Sequence, residues 1–419
     1  MAAAPTPEQI AIVKSTAPII KEHGRAITDA FYKNLLSAHP GLKNYFSLRN
    51  QQTGAQQLVL ANAVFAYAAY IDDLGKLSDA VERIAQKHAS LFVKPEHYPI
   101  VGQFLVEAFV QVLGSAVTDE VKDAWIAAYQ QLANVFIQRE AQLYGEHGPD
   151  WQSWRKFAIV DKEQDSEDVF HLHLQPTDGT PLPPFRAGQY VSLQIPVPEA
   201  EGLLQSRQFS ISSAPIDSRR LLRVTVKRGS TVLNASSQDV SEGKVPGLIS
   251  NTLFERYNVG DEVELSPPRG VFSFDAEAAD PDVPVVLLSL GVGATPVVAI
   301  LDSIVKSSYP SRPVSYIHGA RHSGAVCFGK HIRSISKDHG GVTSVLFIKN
   351  TKEGDEYTFP GRMNLDSLDR NAHLRLDSAK AEYFACGPPE WMVQTRAWLA
   401  DHGVDLTRIH LELFGTGGI

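Results

Sequence analysis

The sequence predicts a multidomain chain: an all-α block, then an antiparallel β-barrel, then an α/β domain built on a parallel sheet. Three observations carry this. From residue 6 to about 145, apolar residues recur at helical spacing and strand-like alternation is absent. From Trp154, short alternating apolar runs separated by turn residues take over. From about Pro284, continuous apolar runs alternate with helical patterns, as in strands buried on both faces and joined by crossover helices. The predicted domains are 1–147, 148–274 and 275–419.

In the first block, Thr6-Pro7-Glu8 is an N-cap followed by proline at the first helical position. Ile10, Val13 and Ala17 begin an amphipathic face, and Pro18 within it predicts a kink or a break. A second helix carries Ile27, Phe31, Tyr32 and Leu35 and ends at His39-Pro40-Gly41. A third segment leads to a corner at Tyr45-Phe46. A longer helix from Thr53 carries Gln56, Leu60, Val64, Tyr67 and Ile71, followed by the helix that bears His88. Helices from Tyr98 to about Val112 and from Asp119 to about Tyr144 complete seven or eight.

The composition changes at Gly148-Pro149-Asp150. Strands are expected at Phe157–Val160, Phe170–Leu174, Tyr190–Ile195, Gln208–Ser212, Leu222–Lys227 and Glu262–Ser266. Turns are expected at Thr177-Asp178-Gly179 and Asn258–Asp261. In the last block Val285–Leu288, Val314–His318, Ser344–Ile348, Tyr383–Cys386 and Ile409–Glu412 read as strands, with helices between.

Composition excludes several function classes. A formal net charge of −8 argues against nucleic-acid binding and leaves no basic membrane patch. The two cysteines, Cys327 and Cys386, form neither a disulfide framework nor a thiolate metal cluster, which suits a reducing compartment. The N-terminus lacks a secretory pattern and is not arginine-rich, so a cytoplasmic protein is expected. No apolar run is expected to reach membrane-spanning length, and no internal repeat is evident.

Six stretches carry candidate chemistry. Leu77, Val81, Ile84 and His88 share one helix face, so an imidazole ends an apolar stripe. Such a histidine is either a buried polar group bonded to a carbonyl or an axial ligand in a cofactor pocket. Glu140 ends the stripe Trp125, Tyr129, Leu132, Phe136; it either lies beyond the buried part of the helix or has a buried partner. Gly291-Val292-Gly293-Ala294-Thr295-Pro296 is a strand-to-helix turn of the kind that admits a pyrophosphate, and Cys386-Gly387-Pro388-Pro389 ends a later strand of the same sheet. In the barrel, Arg207-Gln208-Phe209-Ser210 and Gly247-Leu248-Ile249-Ser250 offer a guanidinium, hydroxyls and backbone amides suited to a diphosphate.

In this order, the motifs of the second and third blocks resemble the ferredoxin–NADP reductase superfamily, an FAD-binding barrel followed by a nicotinamide-binding domain. The helical block, with Ile84–Ser90, Lys94–Tyr98 and Leu132–Ile137, resembles a globin. The combination, together with the terminal Ile409–Gly415, resembles the flavohaemoglobin family of nitric oxide dioxygenases across essentially the whole chain.

The resemblance implies haem b, FAD and NADH or NADPH as cofactors. His88 would ligate the haem iron, with Tyr98 and Glu140 bonded around it to raise its basicity. Tyr32, Gln56 and Leu60 would line the distal pocket, with Phe46 against the haem. Lys87 would face the flavin side, or be a solvated lysine. Tyr190, Arg207, Gln208, Phe209, Ser210, Gly247 and Ser250 would bind FAD. Phe209 departs from the family, which has tyrosine there, and so loses one hydroxyl. Gly291, Gly293, Thr295, Pro296, Cys386, Gly387 and Pro388 would hold the dinucleotide, with Glu412 and Phe414 near flavin and nicotinamide.

The implied activity is NAD(P)H- and O2-dependent conversion of nitric oxide to nitrate. Electrons would pass from nicotinamide through FAD to haem, since a flavin bridges two-electron and one-electron chemistry. A reductase of peroxides or other acceptors shares every motif, and a non-enzymatic O2 or nitric oxide sensor is the alternative from another class. A lipid or other hydrophobic ligand is a candidate second occupant of the distal pocket, and a monomer is expected. Arg321 and Ser323, after the second strand of the last domain, either bind a 2′-phosphate and permit NADPH or face solvent.

Overall fold

Residue Thr6 caps the first helix with a full capping box, its hydroxyl accepting from Gln9 N while Gln9 accepts from Thr6 N. The structure, a computed structural model, describes residues 4–146, 151–200, 202–216, 219–232 and 244–415. Helix α1 runs Pro7–Ala38 and continues through Pro18, so of the kink or break expected there the break does not occur. A proline inside a helix costs roughly 3 kcal/mol. Ile20, Ile27, Phe31 and Leu35, each at most 3% exposed, recover about 1.5–3 kcal/mol apiece by burial along the same face. The apolar face therefore outweighs the lost backbone bond.

Five more helices follow: α2 (Leu48–Thr53), α3 (Ala55–Ala69), α4 (Ser78–Ser90), α5 (His97–Leu113) and α6 (Asp119–Gly145). Among the described residues the block thus has six α-helices, with short 3-10 turns between some of them, against the seven or eight expected. The helix expected from Thr53 is interrupted at Gly54, whose φ of +73° ends α2 and opens α3. Gly24 lets α1 approach α3, because a Cβ there would stand 3.1 Å from that of Ala61.

The segment His97–Ala116 corrects one expectation: it is 20 residues long with mean hydropathy 1.4, long and apolar enough to cross a bilayer. Gln103, Glu107 and Gln111 recur along α5, while Leu105, Val106, Ala108 and Phe109 are buried, the pattern of an amphipathic core helix.

The barrel strands are β1 (Arg155–Ser166), β2 (Val169–Pro176), β3 (Tyr190–Pro196), β4 (Leu204–Ser210), β5 (Leu222–Lys227), β6 (Ser230–Val232), β7 (Lys244–Pro246) and β8 (Glu262–Leu265). Helix α7 (Leu248–Arg256) precedes β8. Six of the strands form a sheet in the order β4-β3-β8-β1-β2-β5. An antiparallel bridge between Ile211 and Val224 joins the segment after β4 to β5 and closes the sheet. The small β6–β7 hairpin was not legible in the alternation. Turn glycines Gly179 and Gly260 have φ of +72° and +98°, as their turns require. The composition change at 148–150 lies outside the described residues.

The last part contains β9 (Val285–Leu290), α8 (Ala294–Val305), β10 (Val314–Ala320), α9 (Gly329–Asp338), β11 (Val342–Ile348), β12 (Phe359–Pro360), β13 (Glu382–Cys386), α10 (Pro389–Asp401) and β14 (Ile409–Glu412). The sheet is parallel throughout in the order β12-β11-β10-β9-β13-β14. Val285 and Leu287 enter one core and Val286 and Leu288 the other, so β9 is buried on both faces, as its unbroken apolar run requires. Strand order reverses about β9, and ligands of such sheets bind where it does, beyond the carboxyl ends of the strands.

By contacts the chain separates into two compact units. One is built from described residues within 1–153, 194–207 and 230–249; the other from those within 154–193, 208–229 and 250–419.

Candidate functional site

In the helical unit, α4 carries His88 and α6 carries Glu140. Their relative position is held by a bidentate ion pair, with Arg139 Nε and Nη2 donating to Glu82 at 2.6 and 2.8 Å. This bond, first, holds the Glu82 carboxyl below the usual range. His88 Nδ1 lies 2.9 Å from Glu140 Oε1 and 3.1 Å from the Tyr98 hydroxyl. The Tyr98 hydroxyl donates to the same Glu140 oxygen at 2.5 Å. Glu140 is 2% exposed, so the stripe that ended in a carboxylate does place it in the core. Burial, and then the charge of Glu140, raise the Tyr98 pKa far above its ordinary value and keep the phenol protonated. Tyr129, a residue sequence reasoning left as core packing, donates to Tyr98 O at 2.7 Å and fixes that backbone. His88 Nε2 has no hydrogen-bond partner among the described residues, which leaves an imidazole oriented through one nitrogen with the other available to a metal.

The helical core divides into two apolar clusters. Tyr32 belongs to one, with Phe46 and Leu60 packed against it; Tyr98 and Phe136 belong to the other. The Tyr32 ring stands edge-on to Phe46 at 5.3 Å, and burial raises the pKa of its hydroxyl, which Gln56 approaches closely enough to hydrogen-bond. Tyr32 thus has Phe46 and Gln56 beside it, and Leu60 packs against the same cluster.

Lys87 is half-buried, and burial, then the nearby positive charge of Arg207, lower its pKa to about 8. Arg207 donates to Ser47 Oγ at 2.7 Å, has no carboxylate within ion-pair distance among the described residues, and has its own pKa lowered by burial. Among the described residues neither of these neighbouring cations has a carboxylate partner. Gly247, in the same unit, immediately precedes α7.

In the second unit, Gln208 donates to Ser192 Oγ at 3.2 Å, and Ser210 is buried. Phe209 follows on β4, half-buried. The Tyr190 ring lies where a Cβ on Gly270 would come within 3.0 Å of it; Gly270, with φ +115°, is the residue sequence reasoning missed there. Ser250 Oγ accepts from Gly229 N at 3.2 Å, and Asn251 Nδ2 donates to Gly229 O at 2.8 Å, fixing the start of α7.

At the switch point, a Cβ on Gly293 would lie 2.1 Å from Cys386 O, so only glycine lets the turn after β9 meet the turn after β13. A Cβ on Gly387 would come 2.7 Å from the Trp391 ring. Gly291 takes φ +54°, Thr295 Oγ1 donates to Val292 O, and Pro296 sits buried in the first turn of α8. Pro388 caps α10. Glu412 pairs with Cys386 across β14 and β13; burial first, then the charge of Glu412, raise the Cys386 thiol well above its ordinary pKa, so it stays neutral. Phe414 is 44% exposed. The buried Ser289–His318 hydrogen bond, 2.9 Å on adjacent strands, had no signal in the sequence.

These sites define the class: a globin fold followed by an oxidoreductase-type nucleotide-binding fold. A globin family model matches residues 29–136 and an oxidoreductase NAD-binding domain model matches 287–397. The flavohaemoprotein of Bordetella pertussis is 41% identical over 99% of each chain, and that of Bacillus subtilis 34% identical over 97% of this chain and 96% of its own. A crystal structure of flavohaemoglobin from Malassezia yamatoensis with bound FAD and haem matches 99% of this chain and 100% of its own, with 28% identity and a TM-score of 0.83. The FAD/NAD-binding domain of nitric oxide dioxygenase from Vibrio cholerae matches 62% of this chain and 98% of its own at 29% identity, TM-score 0.52. The chain belongs to the flavohaemoprotein family.

Proposed function

We propose that the chain is an NAD(P)H- and O2-dependent nitric oxide dioxygenase that forms nitrate, working in the cytoplasm as a monomer with domains at 1–147, 148–274 and 275–419. The observation that carries this reading is the His88–Glu140–Tyr98 cluster. An imidazole bonded through Nδ1 to a buried carboxylate is a strongly donating ligand, suited to activating a diatomic substrate and not merely carrying it.

The residues fit the groups. His88 Nε2 would hold the haem iron, with apolar side chains of both helical clusters available to surround the group. Arg207, a half-buried cation with no carboxylate partner among the described residues, would take the diphosphate of FAD; Gln208, Ser210, Tyr190 and Ser250 would bind the rest, with Phe209 contributing aromatic surface only. The glycine turns at Gly291–Gly293 and Cys386–Pro388 would admit the nicotinamide dinucleotide at the start of α8. When bound, these groups would supply two-electron chemistry at the nicotinamide, one-electron chemistry at the iron, and both at the flavin.

The chain's own residues do the positioning. Glu140 and Tyr98 fix the imidazole tautomer. Tyr32, held protonated by burial, and Gln56 present donors to negative charge developing on oxygen. Leu60 and Phe46 exclude water around them. The Vibrio cholerae protein whose FAD/NAD-binding domain the chain resembles is named a nitric oxide dioxygenase, which supports nitric oxide as the substrate.

The test is an absorption spectrum of the purified chain with stopped-flow nitric oxide consumption under O2 and NADH. A missing Soret band contradicts the haem assignment. A Soret band without NADH-driven nitric oxide loss makes the protein a sensor.

A further inference from the structure

The loop Arg321–Phe328 follows β10, next to β9 in the sheet. In dinucleotide-binding sheets the end of this second strand meets the ribose 2′ position. Two donors there, Arg321 and Ser323, suit a 2′-phosphate by residue type. The structure surrounds them with carboxylates.

On one side stands the tip of the β1–β2 hairpin. Asp165 accepts from Phe328 N with both oxygens at 3.1 Å, and Glu167 N donates to Gly324 O at 2.8 Å, so hairpin and loop are bonded at two points. Glu167 Oε2 lies 3.6 Å from His322 Nε2, and a Cβ on Gly324 would stand 3.4 Å from the same oxygen. Asp168 Oδ2 lies 3.9 Å from Arg321 Nη2 and 3.4 Å from Lys227 Nζ. On the other side the Ser323 hydroxyl donates to Asp355, and that bond is the first cause of a lowered Asp355 pKa. Asp355 also accepts from Lys352 N at 2.8 Å, and Asn350 N donates to Arg321 O at 2.9 Å.

Both candidate phosphate donors therefore already face carboxylates. Asp168 is shared between Lys227, at 3.4 Å, and Arg321, at 3.9 Å, and Arg321 is 67% exposed. The chemistry of the two nucleotides decides what fits. A ribose 2′-hydroxyl can donate to a carboxylate. A 2′-phosphate at neutral pH offers acceptors and negative charge, and meets lone pairs of like charge.

We infer that Glu167 and Asp168 of the barrel hairpin, with Asp355, set the pyridine-nucleotide preference, selecting the 2′-hydroxyl of NADH against the 2′-phosphate of NADPH. The inference rests on the reading that the β9 switch point binds a nicotinamide dinucleotide. It assigns nucleotide choice partly to the barrel rather than to the nucleotide-binding fold alone.

The probes are 5′-AMP and 2′,5′-ADP, titrated calorimetrically into the full chain, alone and in competition with NADH. The wild type is expected to bind 5′-AMP more tightly. In the Glu167→Gln/Asp168→Asn double variant the ratio of the 2′,5′-ADP to the 5′-AMP dissociation constant falls about tenfold, equivalent to ~1.4 kcal/mol. Asp355→Asn shifts the ratio the same way. Glu167 is exposed, so Glu167→Gln alone, with its thermal melt, serves if the double variant does not fold. A ratio unchanged in all variants, or a wild type that prefers 2′,5′-ADP, overturns the inference and leaves the switch-point reading intact. Failure of both probes to bind or to compete with NADH overturns that reading, and the inference with it.

Discussion

The Tyr98 hydroxyl and the His88 imidazole converge on a single carboxylate oxygen, Glu140 Oε1, at 2.5 and 2.9 Å. Two donors on one buried acceptor fix which imidazole nitrogen carries the proton. Glu140→Gln replaces the acceptor with a neutral amide. The variant is expected to bind haem but to turn over about 10–100-fold more slowly, the usual cost of losing a partner of a metal-ligating histidine. The iron–histidine stretch in resonance Raman should fall to lower frequency. Wild-type frequency and rate together would refute the role given to Glu140.

His88→Ala removes the ligand itself. The expected outcome is loss of the normal Soret spectrum with the reductase part still folded, checked by NADH-driven reduction of an artificial acceptor such as ferricyanide. A normal Soret band in this variant contradicts the ligand assignment.

The apolar stripes that end in His88 and Glu140 were legible in the sequence; the pairing of the two, and the place of Tyr98 beside them, followed only from the family resemblance. That α1 continues through Pro18 was not legible, because the local rule takes no account of the apolar face that runs through it. Gly270 beneath Tyr190, and the carboxylates of Glu167 and Asp168 beside Arg321, join residues far apart in the chain, and no periodicity reports such contacts. The turn at Gly291–Pro296 was visible, whereas the reason for Gly293, the carbonyl of Cys386, was not.

Lys87 gives a pH test in the chain prepared without cofactors. Its folded pKa of about 8 lies below the ordinary lysine value, near 10.4 when unfolded, so the unfolded chain binds more protons between these values. Its contribution to stability therefore rises with pH across that window, and the penalty is fully present below pH 8. Lys87→Met should flatten this part of the stability profile in chemical denaturation. Identical slopes in both proteins contradict a depressed Lys87.

Gly293→Ala would press a methyl group against Cys386 O. Overpacking of this kind costs about 1–3 kcal/mol, so a lower Tm is expected. Adenine-nucleotide affinity, measured by calorimetry, should fall as the two turns separate. Wild-type Tm and affinity would show that the turns accommodate the group.

Phe209→Tyr restores a hydroxyl. One added hydrogen bond contributes about 0.5–1.5 kcal/mol, so FAD should dissociate more slowly from the variant, read by the recovery of flavin fluorescence on dilution. An unchanged rate means that the hydroxyl finds no partner.

The most direct measurement of the central claim is electron balance. Nitric oxide, O2 and one electron make one nitrate, and a hydride carries two electrons. With NADH limiting and O2 in excess, the account predicts two nitric oxide molecules consumed and two nitrates formed per NADH oxidised. NADH oxidation that proceeds without nitrate, or nitric oxide loss that yields a reduced nitrogen product instead, would contradict it.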